Sequence, residues 1–195
     1  VVQGEQVQAS FEKVSDTLAR VGAVNADGTP VLTGTASLGD TDETELDPRR
    51  QRAAAGAGEL FIVDRLRIGH SEDVPEPVRV NVDDDNGLLY PFTLRQKLDR
   101  ITERSAWYDG TDNPWGRAIL PTEMISVLAH QAAPRLPVRG PAIGLFIDLE
   151  VRRNAGPVFV DHPYRVSHTV VGISQSRRVE SYWTESTIID ADTGV

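Results

Sequence analysis

Two stretches near opposite ends of the chain carry the same pattern, and that repeat limits the fold more than any other feature. In the first, EQVQASFEKV alternates apolar and polar residues, LARVGAV follows, and Asn25-Ala26-Asp27-Gly28 separates it from TPVLTGTASL. In the second, YRVSHTVVGIS and RRVESYWTESTIID run into Asp190-Ala191-Asp192-Thr193-Gly194. Alternation with period two predicts half-buried strands, and short Asn/Asp/Gly clusters between such runs predict hairpin turns. Strand, strand, turn in both places predicts two similar antiparallel modules. The first copy lacks a helical beginning and the second lacks a last strand. The one methionine is Met124, and the chain stops just after a turn signal. The sequence therefore reads as part of something longer.

Between the copies the pattern changes. Residues 1–38 are the strands of a partial first module. Residues 39–58, GDTDETELDPRRQRAAAGAG, turn from acidic to basic to Ala/Gly-rich with no hydrophobic period, which predicts a flexible linker. Residues 59–89 form a connecting segment rich in Pro and Asp, and 90–195 form the second module. FTLRQKLDRITERSAWY places Leu94, Leu98, Ile101 and Ser105 at helical spacing. The best helix runs from Pro121 to about Ala133, with Ile125, Leu128 and Ala132 inward, Glu123 at its positive end and Pro134 stopping it. AIGLFIDLEV then reads as a buried strand. The fold class is α+β.

Composition removes several function classes. The 195 residues include 29 acidic and 20 basic ones, a formal net charge of -9, and no basic stripe that would mark a nucleic-acid binder. No apolar run approaches membrane-spanning length, and the N-terminus has no signal-peptide pattern, so a cytoplasmic location is the default. With no cysteine there is no disulfide, thiolate nucleophile or Cys-based metal site. No two histidines share a ligand spacing with a carboxylate, so no metal is expected. Asp83-Asp84-Asp85-Asn86-Gly87 lacks the later Glu of a calcium loop and reads as a solvated turn.

One helix beside a meander of long antiparallel strands resembles the hot-dog fold, in which a curled sheet wraps a central helix. Within it, GRAILPTEMISVLAHQ is similar to the motif that leads into the helix of the β-hydroxyacyl thioester dehydratases and the MaoC-like hydratases, with Gly116, Ile119, Pro121, Leu128 and Gln131 falling on it. The resemblance covers residues 90–195 well and 1–38 more loosely, so it implies a double hot-dog protein. It further implies an acyl thioester beside the helix, with amides around Gly116 polarising its carbonyl, since a helix N-terminus favours developing negative charge. On this reading Trp115, Gly116, Arg117, Ile119 and Pro121 bind substrate. The alternative is that Gly116 and Pro121 only shape the chain.

The departures from that family are specific. The dehydratases place a catalytic His where this chain has Asn113, and their acid on the helix falls on Val127. The MaoC-like pattern Asp-x-Asn-Pro-x-His keeps Asp109, Asp112, Asn113 and Pro114 but has Trp115 or Gly116 in place of the His. Asp109, Asp112 and Asn113 are the catalytic candidates, without a visible acid/base partner. His130 lies near the helix end, His70 in a linker-like passage, and His162 and His168 six apart on one strand; His162, just before Pro163, reads as a surface position. Trp107, Tyr108 and Trp115 bracket the turn and read as core or interface packing, with the lining of an apolar ligand tunnel as the alternative. Ser126 and Ser176 lack a nucleophile context. The expected activity is hydratase/dehydratase-like, on a 2-enoyl or 3-hydroxyacyl thioester of coenzyme A or an acyl carrier protein. No separate cofactor is expected, coenzyme A or phosphopantetheine being part of the substrate. The rivals are a hot-dog acyl-CoA thioesterase and a non-catalytic thioester-binding module paired with a catalytic partner. A homo-oligomer or a partner hot-dog chain is expected, with no nucleic acid and no membrane span.

Overall fold

A computed structural model describes residues 4–39, 43–87, 89–101, 104–131 and 136–195. The chain is α+β, with two three-stranded antiparallel sheets and few helices. It divides into two compact units, Val1–Arg49 and Arg50–Val195.

The first unit holds the meander β1 (Val7–Lys13), β2 (Leu18–Asn25) and β3 (Pro30–Ser37), in the order β1-β2-β3. The Asn-Ala-Asp-Gly turn joins β2 to β3. Gly28 donates to the Asn25 carbonyl at 3.0 Å with φ of +86°, a left-handed value glycine reaches without cost. Register sets Phe11 opposite Val21 and Ala9 opposite Ala23. Directly opposed residues share a face, so one side of this sheet is apolar and the other carries Ser10, Glu12 and Arg20.

The segment expected as a linker contains a helix, α1 (Asp47–Ala54). Ala53 is fully buried, and a methyl built on Gly172 would lie only 2.8 Å from its Cβ. Small residues on both elements thus allow close approach, which composition alone hides because Ala and Gly also dominate linkers.

The second sheet has the order β4-β5-β6, from β4 (Ser71–Asp73), β5 (Tyr164–Gln175) and β6 (Glu180–Asp190). Tyr164, Val166, His168 and Val170 alternate inward along β5. A bulge between Val170 and Gly172 then resets the phase, so Ile173 is buried in turn. The strand β4 lies inside the stretch expected only to connect the modules.

Where one helical stretch was expected there are two helices, α2 (Leu94–Arg100) and α3 (Ala106–Asp109). Thr93 and Gln96 form a capping box on α2, and the Ser105 hydroxyl accepts from the Trp107 amide at 3.3 Å. Ser105 is therefore the start of a second helix rather than part of one stripe. The main helix α4 (Thr122–Gln131) fits the expected span, although Ala132, Ala133 and Pro134 lie outside the described residues. Met124 to Ala129 are all buried, so α4 is enclosed rather than one-sided. It packs with Val80, Leu94, Leu120 and Tyr164 in one core, with Ile188 of β6 against it. The Gln131 amide donates to Asn86 Oδ1 at 3.1 Å, and Asn86 donates to the Phe92 carbonyl at 2.6 Å, which ties the helix end to the α2 approach.

AIGLFIDLEV forms no strand; residues 142–147 and Leu149 are exposed, and Asp148, Glu150 and Val151 are half-buried. It is apolar enough for a sheet interior, but it pairs with no described strand. Among the described residues no helix is long and apolar enough to cross a membrane.

Candidate functional site

The stretch before α4 is held on two sides. Ile119 bridges Phe159 and donates to the Trp107 carbonyl at 2.8 Å. Leu120 donates to the Val158 carbonyl at 2.7 Å, and Val160 donates to the Ala118 carbonyl at 3.0 Å. Residues 118–120 thus form a short ladder with 158–160, which carries Arg117 to the residues that follow.

Arg117 lies over the Phe159 ring, its guanidinium carbon 4.4 Å from the centroid, and Nη2 donates to His162 Nδ1 at 3.2 Å. A guanidinium can only donate, so Nδ1 accepts and the ring hydrogen sits on Nε2. That N–H donates to Asp190 Oδ2 at 2.7 Å. The other oxygen of Asp190 accepts from the amides of Asp192 and Thr193, each at 2.9 Å. The Asp190 carboxyl is set by opposing effects. Burial is the largest and pushes it up, but the two amides and the His162 ring together hold it below the usual carboxylate range. Tyr164 packs edge-on to His162 at 5.1 Å, and its hydroxyl accepts from the Phe159 amide at 2.7 Å. Burial chiefly raises the Tyr164 hydroxyl.

His162 is buried, not on the surface as its place before Pro163 predicts. Asp161, in the left-handed region at φ 52°, turns the chain, and its amide donates to the Val80 carbonyl at 2.9 Å. The Asp-Ala-Asp-Thr-Gly turn supplies Asp190. Neither residue stands out in sequence: Asp190 reads as turn chemistry, and His162 reads as sharing a strand with His168, whereas it precedes β5 and only His168 lies on that strand.

The sequence-predicted residues fall into different roles. Asn113 braces the turn: Nδ2 donates to the Arg117 carbonyl at 2.7 Å, and Oδ1 accepts from the Trp115 amide at 2.9 Å. The Gly116 amide donates to the Asn113 carbonyl at 3.1 Å, and Gly116 has φ of +63° with open space where a Cβ would stand. Trp115 stacks edge-on with Trp107 at 5.5 Å. Pro121 is buried and its carbonyl accepts from Met124 at 2.9 Å. Asp109 ends α3 and borders a cleft of about 40 Å³ with Tyr108 and Arg104, while Asp112 is exposed in the turn. Among the described residues none of Asp109, Asp112 and Asn113 bonds to His162 or Asp190. Arg117 is the predicted residue that joins the cluster.

One donor from each of His162, Asp190 and Asp192 lies within 4.8 Å of the others, close enough to share a cation. The ring chemistry opposes it: with Arg117 donating to Nδ1, the hydrogen on Nε2 occupies the lone pair a metal would need. The arrangement suits proton handling.

Comparison with known proteins names no relative: no family model matches the chain, and no curated protein or solved structure matches it.

Proposed function

We propose that the chain is a hydratase/dehydratase-like protein of the hot-dog type, acting on a 2-enoyl or 3-hydroxyacyl thioester of coenzyme A or an acyl carrier protein. The observation that carries the reading is the Asp190–His162–Arg117 chain, whose Arg117 stands in the stretch that leads into α4. It offers the His–carboxylate pair that the motif around Asp109 lacks. The thioester class itself rests on the resemblance of residues 90–195 to the thioester dehydratases.

In this reading Asp190 orients the imidazole and His162 Nδ1 is the base, once a substrate oxygen draws the Arg117 guanidinium away. Nδ1 takes a proton from water as the water oxygen bonds to C3 of the enoyl group. Electrons shift from the C2–C3 double bond toward the thioester carbonyl, whose developing charge Arg117 and the start of α4 offset. The proton then passes from Nδ1 to C2, so atoms and charge balance and one imidazole serves both steps.

A second reading has its own support. Both ring nitrogens of His162 already have partners, as in a module that holds a thioester without turning it over. Hydration of 2-enoyl-CoA followed at the enone absorbance separates the two. The first reading expects turnover that falls about a hundredfold or more in kcat for His162→Gln, with KM little changed. Acyl-CoA binding with no turnover in the parent chain selects the module, and hydrolysis of saturated acyl-CoA selects a thioesterase. Hydration unaffected by His162→Gln rules this site out.

A further inference from the structure

Tyr164, which packs on His162, belongs to one of two apolar cores in the second unit. The other is built from Val63, Leu66, Val170 and Ile173. Leu66 and Ile173, with Leu60 and Ile68, line an open cleft of about 350 Å³, and the loop 56–58, Asp64 and Arg67 complete its wall. At ~30 Å³ per water the cleft has room for about a dozen waters, or for a ligand of roughly ten heavy atoms. The local sequence opens it. Ala55 and Gly56 donate to the Gln51 and Ala53 carbonyls at 3.3 and 3.1 Å, and Gly56 takes φ of +84°. These bonds close α1 and meet two of its last carbonyls before the chain reaches the cleft. Ala57 and Gly58 then bring backbone with little side chain to the wall, and a Cβ built on Gly58 meets nothing within 4 Å.

Arg67 is the charged group that decides what such a cleft takes. Its Nη1 donates to the Asp64 and Leu66 carbonyls, both at 2.7 Å. Two such bonds fix the plane of the guanidinium, while Nε and Nη2 donate to no described residue. That pair of N–H groups is the fork a carboxylate fits bidentately. The carboxylate on the cleft, Asp64, is ion-paired through Oδ2 with Arg139, whose guanidinium carbon lies 4.8 Å from the centre of the Phe61 ring. Asp64 therefore does not neutralise Arg67. The amides of Ala57 and Gly58 also donate to no described residue. We propose that the cleft binds an aliphatic monocarboxylate of about eight carbons, the length its volume admits. The carboxylate sits on Arg67 Nε and Nη2, and the chain lies along Leu60, Leu66, Ile68 and Ile173. An alcohol of the same length loses the bidentate pair, and an ammonium meets a like charge. The site shares no residue with the Arg117–His162–Asp190 chain and stands whether or not that chain hydrates an enoyl thioester.

Octanoate titrated into the ¹⁵N-labelled chain tests this, with octan-1-ol and octylammonium as controls. Octanoate moves the amides of Ala57, Gly58, Leu66, Arg67, Ile68 and Ile173 saturably. Hexanoate binds roughly tenfold more weakly, because each buried methylene is worth about fourfold. Octan-1-ol binds about tenfold or more weakly for want of the charge-assisted pair, and octylammonium moves none of these amides. Arg67→Gln brings octanoate down to the affinity of octan-1-ol and leaves octan-1-ol itself unchanged. Gly58→Leu, at a residue whose φ lies outside the left-handed region and whose Cβ has open space, fills the cleft and weakens both ligands. Both variants keep the parent's spectrum away from the cleft. Absence of saturable shifts at these amides up to about 10 mM octanoate overturns the proposal. So does octan-1-ol that binds as tightly as octanoate, or parent affinity for octanoate in Arg67→Gln.

Discussion

Gly172→Ala tests whether α1 is packed on β5 or merely drawn near it. A Cβ at Gly172 would lie 2.8 Å from Ala53 Cβ, 3.0 Å from Ala53 C and 3.3 Å from Ala53 O. Ordinary contact between carbon atoms is about 3.5–4.0 Å, so the added methyl overlaps by roughly 1 Å. Two of the three atoms are backbone, and no side-chain rotation relieves them. The helix must lift, which uncovers the fully buried Ala53. Overpacking of this kind costs about 1–3 kcal/mol, offset by about 0.4–1 kcal/mol from the stiffer unfolded chain. The net loss is about 0.5–2 kcal/mol, which at a urea slope of about 2 kcal/mol/M moves the midpoint down by about 0.3–1 M. Gly144→Ala, with nothing within 4 Å of the new methyl, is the control and raises the midpoint by about 0.2–0.5 M through the unfolded chain alone. Adding Ala53→Gly to Gly172→Ala removes the shortest overlap, so the two losses are less than additive. An unchanged or raised midpoint for Gly172→Ala, or strict additivity in the cycle, refutes the packing.

Glu180 accepts from the amides of Phe61, Ile62 and Val63 at 2.8, 2.7 and 3.0 Å, and the Phe61 and Val63 amides foremost hold its carboxyl below the usual range against burial. A lowered folded value means its contribution is present above the unfolded carboxylate pKa and lost as pH falls through the folded one. Amide exchange at 61–63 therefore speeds up in Glu180→Gln at neutral pH, and the gap to the parent closes in acid; a gap that widens in acid contradicts the sign. Asp190→Asn exchanges one of its two acceptor oxygens for an NH2 group, so either the His162 ring or the Asp192 and Thr193 amides lose their acceptor and exchange faster; unchanged exchange at all three contradicts the arrangement. Gly116→Val costs about 1–2 kcal/mol through its left-handed backbone alone, whereas Gly116→Asn is tolerated. Equal thermal melts for the two variants contradict that conformation.

The long strands were legible because their signal is local. Alternation along residues 7–13 and 164–170, and the Asn-Ala-Asp-Gly turn, need no knowledge of the rest of the chain. The helix at 122–131 was legible for the same reason, though its full enclosure was not, since burial on every side depends on Val80 and Tyr164 arriving from elsewhere. The failures share one physical cause. α1 reads as a linker because Ala53 and Gly172 must meet before small residues count as packing. AIGLFIDLEV reads as a buried strand because apolar content says nothing of whether a neighbouring strand exists. At the site, Arg117 was singled out from its motif. His162 and Asp190 are 28 positions apart, and the hydrogen bond that joins them exists only after β5 and β6 have paired.

That pairing has a further consequence for how the hairpin can be altered. Its strands are clasped at one end, where Ala191 donates to the Pro163 carbonyl at 3.1 Å and His162 reaches Asp190. The other end closes through the Ser176 amide on the Val179 carbonyl at 2.8 Å. With about eleven residues of strand between them at about 3.3 Å each, the two ends stand some ~35 Å apart. The loop between Gln175 and Glu180 is thus a remote port: a peptide tag or fluorophore spliced there can report on the chain without disturbing the clasp.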